Sequence, residues 1–149
     1  MLATWNAVYS NSAIWRTMIL FAHVGGLLLG AGCAVAADRL TLLAQAGDTH
    51  QLKALAGVHR VVLAGLVSLC VSGALMVASD LDHYLVSTWF WSKMALVALL
   101  LINGVRLSRA EQSARAAEPQ AWARLRSASV ASLVLWFLIT FLGAVLPNV

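Results

Sequence analysis

The stretch TMILFAHVGGLLLGAGCAVAA, residues 17–37, decides the fold, because it is a long apolar run that contains one ionisable side chain, His23. A helix needs about 20 mostly apolar residues to cross the hydrocarbon core of a bilayer. An ionisable side chain inside such a span is unfavourable without an interaction partner, so His23 is a candidate functional residue. The stretch therefore predicts a membrane protein with a functional polar group inside the membrane.

The composition of the whole chain agrees with this class. The 149 residues are 61% hydrophobic and 11% charged, with a mean hydropathy of +0.83, whereas soluble domains carry roughly 25% charged residues. Too few charges remain to cover a water-facing surface. The net charge of +4 comes from basic residues beside apolar segments, where they contact anionic lipid head groups. We therefore expect the lipid bilayer, and no nucleic acid, as the partner of this surface.

Four apolar segments follow one another along the chain, each close to the roughly 17 to 25 residues of a spanning helix. We predict an all-α fold, a four-transmembrane-helix antiparallel bundle that forms a single integral membrane domain over residues 1–149. The helices are expected at residues 14–37, 61–79, 89–105 and 130–146. A chain of this length leaves no room for a separate soluble domain.

Lysine and arginine residues concentrate in the first and third connecting segments: Arg39, Lys53, Arg60, Arg106, Arg109, Arg115, Arg124 and Arg126. The opposite side of the predicted bundle has only Arg16 and Lys93. Because positively charged loops stay in the cytoplasm, we predict a multi-pass protein of a bacterial inner (cytoplasmic) membrane, with both termini on the periplasmic side.

Helical spacing places small residues on the face that carries His23. Gly26 and Gly30 follow it at intervals of three and four residues, so a neighbouring backbone could come close to this face. The same small residues could leave room for a flat macrocycle, and imidazole is a common ligand of haem iron. The pattern predicts a haem held by His23 as metal ligand, with Gly26 and Gly30 beside the cofactor. A hydrogen-bonded core histidine fits the same pattern.

Two further polar residues belong to the same half of the predicted bundle. Lys93 lies about 6 Å along the helix axis from Trp89 at the boundary, where it either extends to the head groups or has a functional role. His83 is in the short loop above, so a porphyrin in this half could contact both His23 and His83. His59 begins the second helix at the opposite side, and we interpret it as an interfacial or solvated residue.

The order of these features resembles the HemJ-type membrane protoporphyrinogen oxidases and, more loosely, the CopD-type copper-resistance membrane proteins. The resemblance rests on HVGG at residues 23–26, Arg60 at the head of the second helix, and FWSKMALVALLL at residues 90–101. It spans nearly all four helices, through short apolar motifs. The resemblance implies haem b association at His23 and redox chemistry on a porphyrinogen, with Lys93 as a catalytic residue.

Three functional hypotheses follow, in this order. The first is an integral membrane haem b-binding redox protein, a possible oxidoreductase, with His23 as axial ligand. In this first hypothesis Lys93 lies near a haem propionate or a substrate carboxylate, and the electron partner is a quinone or a porphyrinogen. The second is a noncatalytic membrane subunit, an assembly partner in a larger complex or a homo-oligomer, in which His23 joins helices. The third is a transport protein for a metal or small solute.

Overall fold

The structure is a computed structural model that describes residues 2–48, 57–118 and 120–146, with side chains described from residue 4 onward. Every regular element in these ranges is helical: α1 (Leu2–Asn11), α2 (Ala13–Leu43), α3 (Val58–Val77), α4 (Leu81–Val86), α5 (Thr88–Arg115) and α6 (Ala121–Val145). Helices α2, α3, α5 and α6 are long and apolar enough to cross a membrane. The prediction of an all-α bundle of four long apolar helices is confirmed.

Three of the long helices continue past the apolar segments that predicted them. Helix α2 ends at Leu43 rather than at residue 37, α5 ends at Arg115 rather than at residue 105, and α6 begins at Ala121 rather than at residue 130. The added turns are rich in alanine, leucine and arginine, which are strong helix formers. They also bury apolar side chains of α5 and α6 against one another: Ala110, Ala114, Ala121 and Leu125. Propensity and packing therefore set these helix ends.

The extended turns form one end of the bundle, which we call the basic end. The described arginines of this end are Arg39, Arg60, Arg106, Arg109, Arg115, Arg124 and Arg126, while Lys53 lies outside the described residues. The short helices α1 and α4, which the hydropathy pattern did not predict, lie at the opposite end, the terminal end. The indole nitrogen of Trp5 on α1 donates a hydrogen bond to the carbonyl oxygen of Leu75 at 3.1 Å. This contact holds α1 against the end of α3.

The four long helices are antiparallel neighbours. Helix α2 packs along both α3 and α6, and α6 packs along α5. Gly30 is opposite Gly65 of α3 and Trp136 of α6, and Asn103 of α5 is opposite Ala128 of α6. Within the described part of the chain, the backbones of α3 and α5 have at most marginal contact, although the side chains of His59 and Glu111 bridge them at the basic end. One side of the bundle is therefore a gap between α3 and α5.

Helices α2 and α3 approach each other through three glycines. A Cβ atom placed on Gly65 would lie 2.6 Å from Cα of Gly30 and 2.8 Å from the carbonyl oxygen of Gly26. Real Cβ atoms essentially never come this close to backbone atoms, so the position accepts no side chain. Small residues allow this kind of close backbone packing between membrane helices, where lipid provides no hydrophobic drive for association.

Large apolar side chains divide between the centre of the bundle and its outer surface. Trp136 is buried and packs with Ala34, Leu100 and Ile139. Its neighbour Phe137 is 68% exposed, in common with many other large apolar residues of the four long helices. An apolar outer surface of this extent is unfavourable in water and is suited to lipid acyl chains. The surface and the four apolar helices support a multi-pass membrane protein in contact with the bilayer.

Candidate functional site

The His23 side chain is directed toward α3, where it contacts Ser72 and Gly73. Its Nδ1 atom lies 2.9 Å from Oγ of Ser72, and Ser72 in turn donates its hydroxyl proton to the carbonyl oxygen of Ser68 at 2.5 Å. A serine hydroxyl has one proton; when Ser72 gives that proton to the carbonyl oxygen of Ser68, it accepts from His23, and the ring is then protonated on Nδ1. In this tautomer the Nε2 atom of the neutral ring has a free lone pair. That is the form in which imidazole binds a metal.

The hydrogen bond from Nδ1 also fixes the direction of the ring. Metal-binding histidines usually donate the second ring N–H to a protein acceptor, which sets their tautomer and orientation. Gly73 lies beside the ring, since a Cβ atom on this glycine would be 3.5 Å from Cε1 of His23. The half-buried imidazole is thus oriented by α3 from the Nδ1 side.

Lys93 of α5 lies in the same half of the bundle as His23. Its ammonium group packs against Gly143 of α6, where a Cβ atom would be 3.2 Å from Nζ. The lysine is close enough for its charge to act on the His23 ring. No carboxylate of the described residues forms an ion pair with Lys93. A half-buried cation in this position is suited to an anionic group from a ligand.

His83 lies apart from this pair. It is exposed on α4, with its ring edge-on to Tyr84 at a centroid distance of 5.5 Å. Tyr84 borders a polar cleft of about 360 Å³ with Tyr9 and Asp80, and burial raises the pKa of its phenol, with smaller contributions from those two residues. Across residues 2–48, 57–118 and 120–146, no group of three or more histidine, cysteine, aspartate or glutamate side chains could hold a metal ion.

The room expected beside Gly26 and Gly30 is filled by α3. A Cβ atom on Gly26 would lie 2.9 Å from the carbonyl oxygen of Gly65 and 3.0 Å from Cβ of Ser68. These glycines serve the contact between α2 and α3, so a planar ligand has no space against them.

A buried carboxylate near the basic end is the main residue that the hydropathy pattern missed. Asp38 is only 2% exposed, although it follows directly after the apolar stretch. It faces Ser129 and Ser132 of α6 and lies within electrostatic range of His59. Its Oδ2 atom has no hydrogen-bond partner among the described residues. A buried carboxylate oxygen without a partner is unfavourable and therefore marks a place where a ligand or proton can bind.

Helical spacing contains a signal that identifies Asp38. Small residues recur at every fourth position along one face of α2, and Asp38 occupies the next such position after Ala34. The earlier members are all buried: Gly26, Gly30 and Ala34. A carboxylate that continues such a stripe faces the neighbouring helices rather than the head groups.

Two uncharged contacts also join helices. The side-chain amide of Asn103 donates to the carbonyl oxygen of Ala128 at 2.8 Å, which makes Asn103 an interhelical residue of α5 and α6. The hydroxyl of Ser68 donates to the carbonyl oxygen of Ala22 at 2.9 Å. Both bonds hold neighbouring helices in register.

Replacing Ser72 with alanine removes the acceptor of the His23 Nδ1–H bond. We expect the free energy of unfolding to fall by about 1 kcal/mol, since interhelical hydrogen bonds in membrane proteins contribute about 0.6 to 1.7 kcal/mol. Denaturation with sodium dodecyl sulfate, followed by circular dichroism, measures the change. Ser92→Ala, at an exposed position of α5, is the control and should leave the free energy of unfolding unchanged. An equal loss in both variants would contradict the assignment of this bond.

Comparison with protein-family models, with curated proteins and with solved structures finds no match for this chain.

Proposed function

We propose that this protein is an integral membrane haem b-binding redox protein in which Nε2 of His23 is the axial ligand. The observation that carries the proposal is the 2.9 Å contact between His23 Nδ1 and Ser72 Oγ, because it engages Nδ1 and leaves Nε2 as the ligand atom. Bound haem supplies reversible one-electron transfer at its iron. A single histidine suffices for a five-coordinate haem, so the absence of a larger metal-binding cluster among the described residues is compatible with this role.

The surrounding side chains fit haem chemistry in part. Lys93 provides a half-buried positive charge close to His23, which is suited to a propionate or a substrate carboxylate. The closed contact at Gly26 and Gly30 excludes a macrocycle from that side, so the flat ligand would enter between α3 and α5. His83 is exposed and has no described contact with His23, so the proposal assigns it no ligand role.

The distribution of charge supports an orientation. The described connecting-region arginines all lie at the basic end, which would face the cytoplasm of a bacterial inner membrane. Both termini would then be periplasmic, and His23 and Lys93 would lie in the periplasmic half of the bilayer. The electron partner would be a quinone or a porphyrinogen dissolved in lipid.

A noncatalytic membrane subunit is the second candidate. It is favoured by the two hydrogen bonds of Ser72 and Ser68 to α2, which give His23 a structural role without any cofactor. In that case a larger complex or a second copy of the chain would cover part of the outer apolar surface. Transport of a metal or small solute is the third candidate, with the buried carboxylate of Asp38 as its main support.

A visible spectrum tests the first candidate. The full chain, purified in detergent after expression with added haem precursor, should show a Soret band, and His23→Ala should reduce it at least tenfold. Ser72→Ala should retain the band but shift the reduction potential, because the Nδ1 hydrogen bond sets the basicity of the ligand. His59→Ala changes an exposed imidazole at the basic end and should leave the spectrum unchanged.

Two results would overturn the proposal. One is a colourless, folded protein that takes up no haem when the cofactor is added in excess. The other is a Soret band that is the same in His23→Ala as in the unaltered chain. A colourless protein that copurifies in fixed proportion with another membrane polypeptide would support the second candidate instead.

A further inference from the structure

A cavity of about 100 Å³ lies at the gap between α3 and α5, toward the basic end. Residues of all four long helices line it, among them Asp38, His59, Leu66, Leu100, Gly104 and Trp136. Because α3 and α5 do not pack tightly against each other, the cavity can open sideways toward the acyl chains. A ligand that is soluble in lipid therefore has a route into it.

The floor of the cavity has an unusual polar group, the carboxylate of Asp38. This residue lines the cavity but is 98% buried, and its Oδ2 atom has no partner in the described part of the chain. The hydroxyls of Ser129 and Ser132 lie close enough to interact with the carboxyl group as a whole, but no described donor meets hydrogen-bond geometry at Oδ2. A hydroxyl group of a ligand would form a short charge-assisted hydrogen bond with a carboxylate here, in a site with little competing water.

A second polar group lines the same cavity from α3. His59 extends from the start of this helix, and its Nε2 atom lies 3.4 Å from a carboxylate oxygen of Glu111 on α5. Glu111 also pairs with Arg115 one turn further along. The pair holds His59 at the gap between the two helices. A ligand with polar atoms at two positions could then contact Asp38 and His59 together.

The remaining walls are apolar, and the cavity of about 100 Å³ is somewhat smaller than a single ring requires. Trp136 and Leu100 belong to the central core cluster, and Leu66 packs against it from α3. An apolar cavity of roughly 150 Å³ in a protein takes up benzene, so one six-membered ring needs only a small outward movement of α3 or α5. A hydrocarbon tail would extend through the gap into the lipid.

We propose that this cavity binds a lipid-soluble quinol, with a ring hydroxyl donating to Asp38, the ring beside Trp136 and the tail between α3 and α5. The site is separate from His23. Trp136 is opposite Gly30, which is about 10 Å along the α2 axis from His23. Quinol binding requires no haem, but its role as an electron partner rests on the proposed redox function.

Equilibrium binding of a decyl-substituted benzoquinol tests this site. The purified full chain, in detergent and without added haem, should bind the quinol saturably at one site per chain. Asp38→Asn keeps the size of the side chain but removes the charged acceptor, and should weaken binding at least tenfold. Asp82→Asn, at an exposed position on α4, is the matched control and should bind as the unaltered chain does.

A second pair of variants tests the cavity without disturbing the core. A Cβ atom on Gly104 or on Gly32 would meet nothing within 4 Å, and both residues are exposed, so a leucine side chain can start at either position without a clash. Gly104 lines the cavity, and Gly104→Leu should block the quinol, whereas Gly32→Leu should not. Circular dichroism of each variant establishes that it is folded.

The proposal is overturned if the quinol only partitions into the micelle, with no difference between the Asp38 or Gly104 variants and their controls. It is also overturned if a decyl-cyclohexane of the same size binds as tightly, since the polar groups would then have no role. Because no haem is present, a chain that fails the Soret test can still bind quinol, and a failure to bind quinol leaves the Soret test unaffected.

Discussion

Replacing Gly65 with leucine is expected to lower the free energy of unfolding by about 3 kcal/mol or more, the upper range for overpacked cores. The new Cβ would overlap backbone atoms of Gly26 and Gly30. Backbone atoms cannot rotate away as a flexible side chain can, so α2 and α3 must separate. Separation also breaks the bonds that Ser68 and Ser72 make with α2. Denaturation with sodium dodecyl sulfate in mixed micelles, read by circular dichroism, gives the loss.

Gly32→Leu is the control for this prediction. Gly32 lies on the contact-forming helix α2, but a Cβ atom there would meet no other atom within 4 Å. Leucine is also a better helix former than glycine by roughly 1 kcal/mol, so this variant should be at least as stable as the unaltered chain. If both leucine variants were equally stable, the close approach of α2 and α3 would be wrong.

Replacing Trp136 with alanine is expected to destabilise the bundle by about 3 kcal/mol, the lower end for aromatic truncations in a core. Trp136 is 3% exposed and contributes to the packing of α6 with α2 and α5. It also borders the existing cavity of about 100 Å³, so its removal enlarges a void instead of letting neighbours collapse. The indole loses its dispersion contacts, which lipid cannot replace inside the bundle. The same denaturation experiment measures the effect.

Phe137→Ala is the matched control, one residue further along the same helix. Its ring is exposed on the outer surface, where lipid or detergent surrounds the side chain in the folded protein and in the separated helices alike. Truncation there should change the free energy of unfolding by less than about 1 kcal/mol. A larger loss at Phe137 than at Trp136 would show that α6 is rotated relative to the structure.

The two polar regions of α2 have different partners. His23 interacts with α3 through Ser72 and lies near the charge of Lys93 at the terminal end. Asp38 faces α6 and the cavity at the other end of the same helix, about 22 Å along the axis from His23. The proposed haem and quinol sites are therefore separable by mutation, and each can be tested in the absence of the other ligand.

The sequence by itself determined the class of the protein and the number of its long helices. In lipid every backbone polar group needs a hydrogen-bond partner. A long apolar stretch such as residues 17–37 satisfies this requirement within itself only as a helix. Spacing along that helix also put His23 and Gly26 on one face. These results depend only on residues close together in the chain.

Only the tertiary structure decided what each face contacts. It showed that α3 fills the space beside Gly26 and Gly30, that α2 continues far enough to bury Asp38, and that α3 and α5 leave a gap. These features depend on contacts between segments distant in the sequence, such as Gly30 with Gly65 and Asp38 with Ser129. Hydropathy measures how well each segment tolerates lipid. The pairing of helices depends instead on how well two helix surfaces fit each other, and the sequence of one segment does not contain that information.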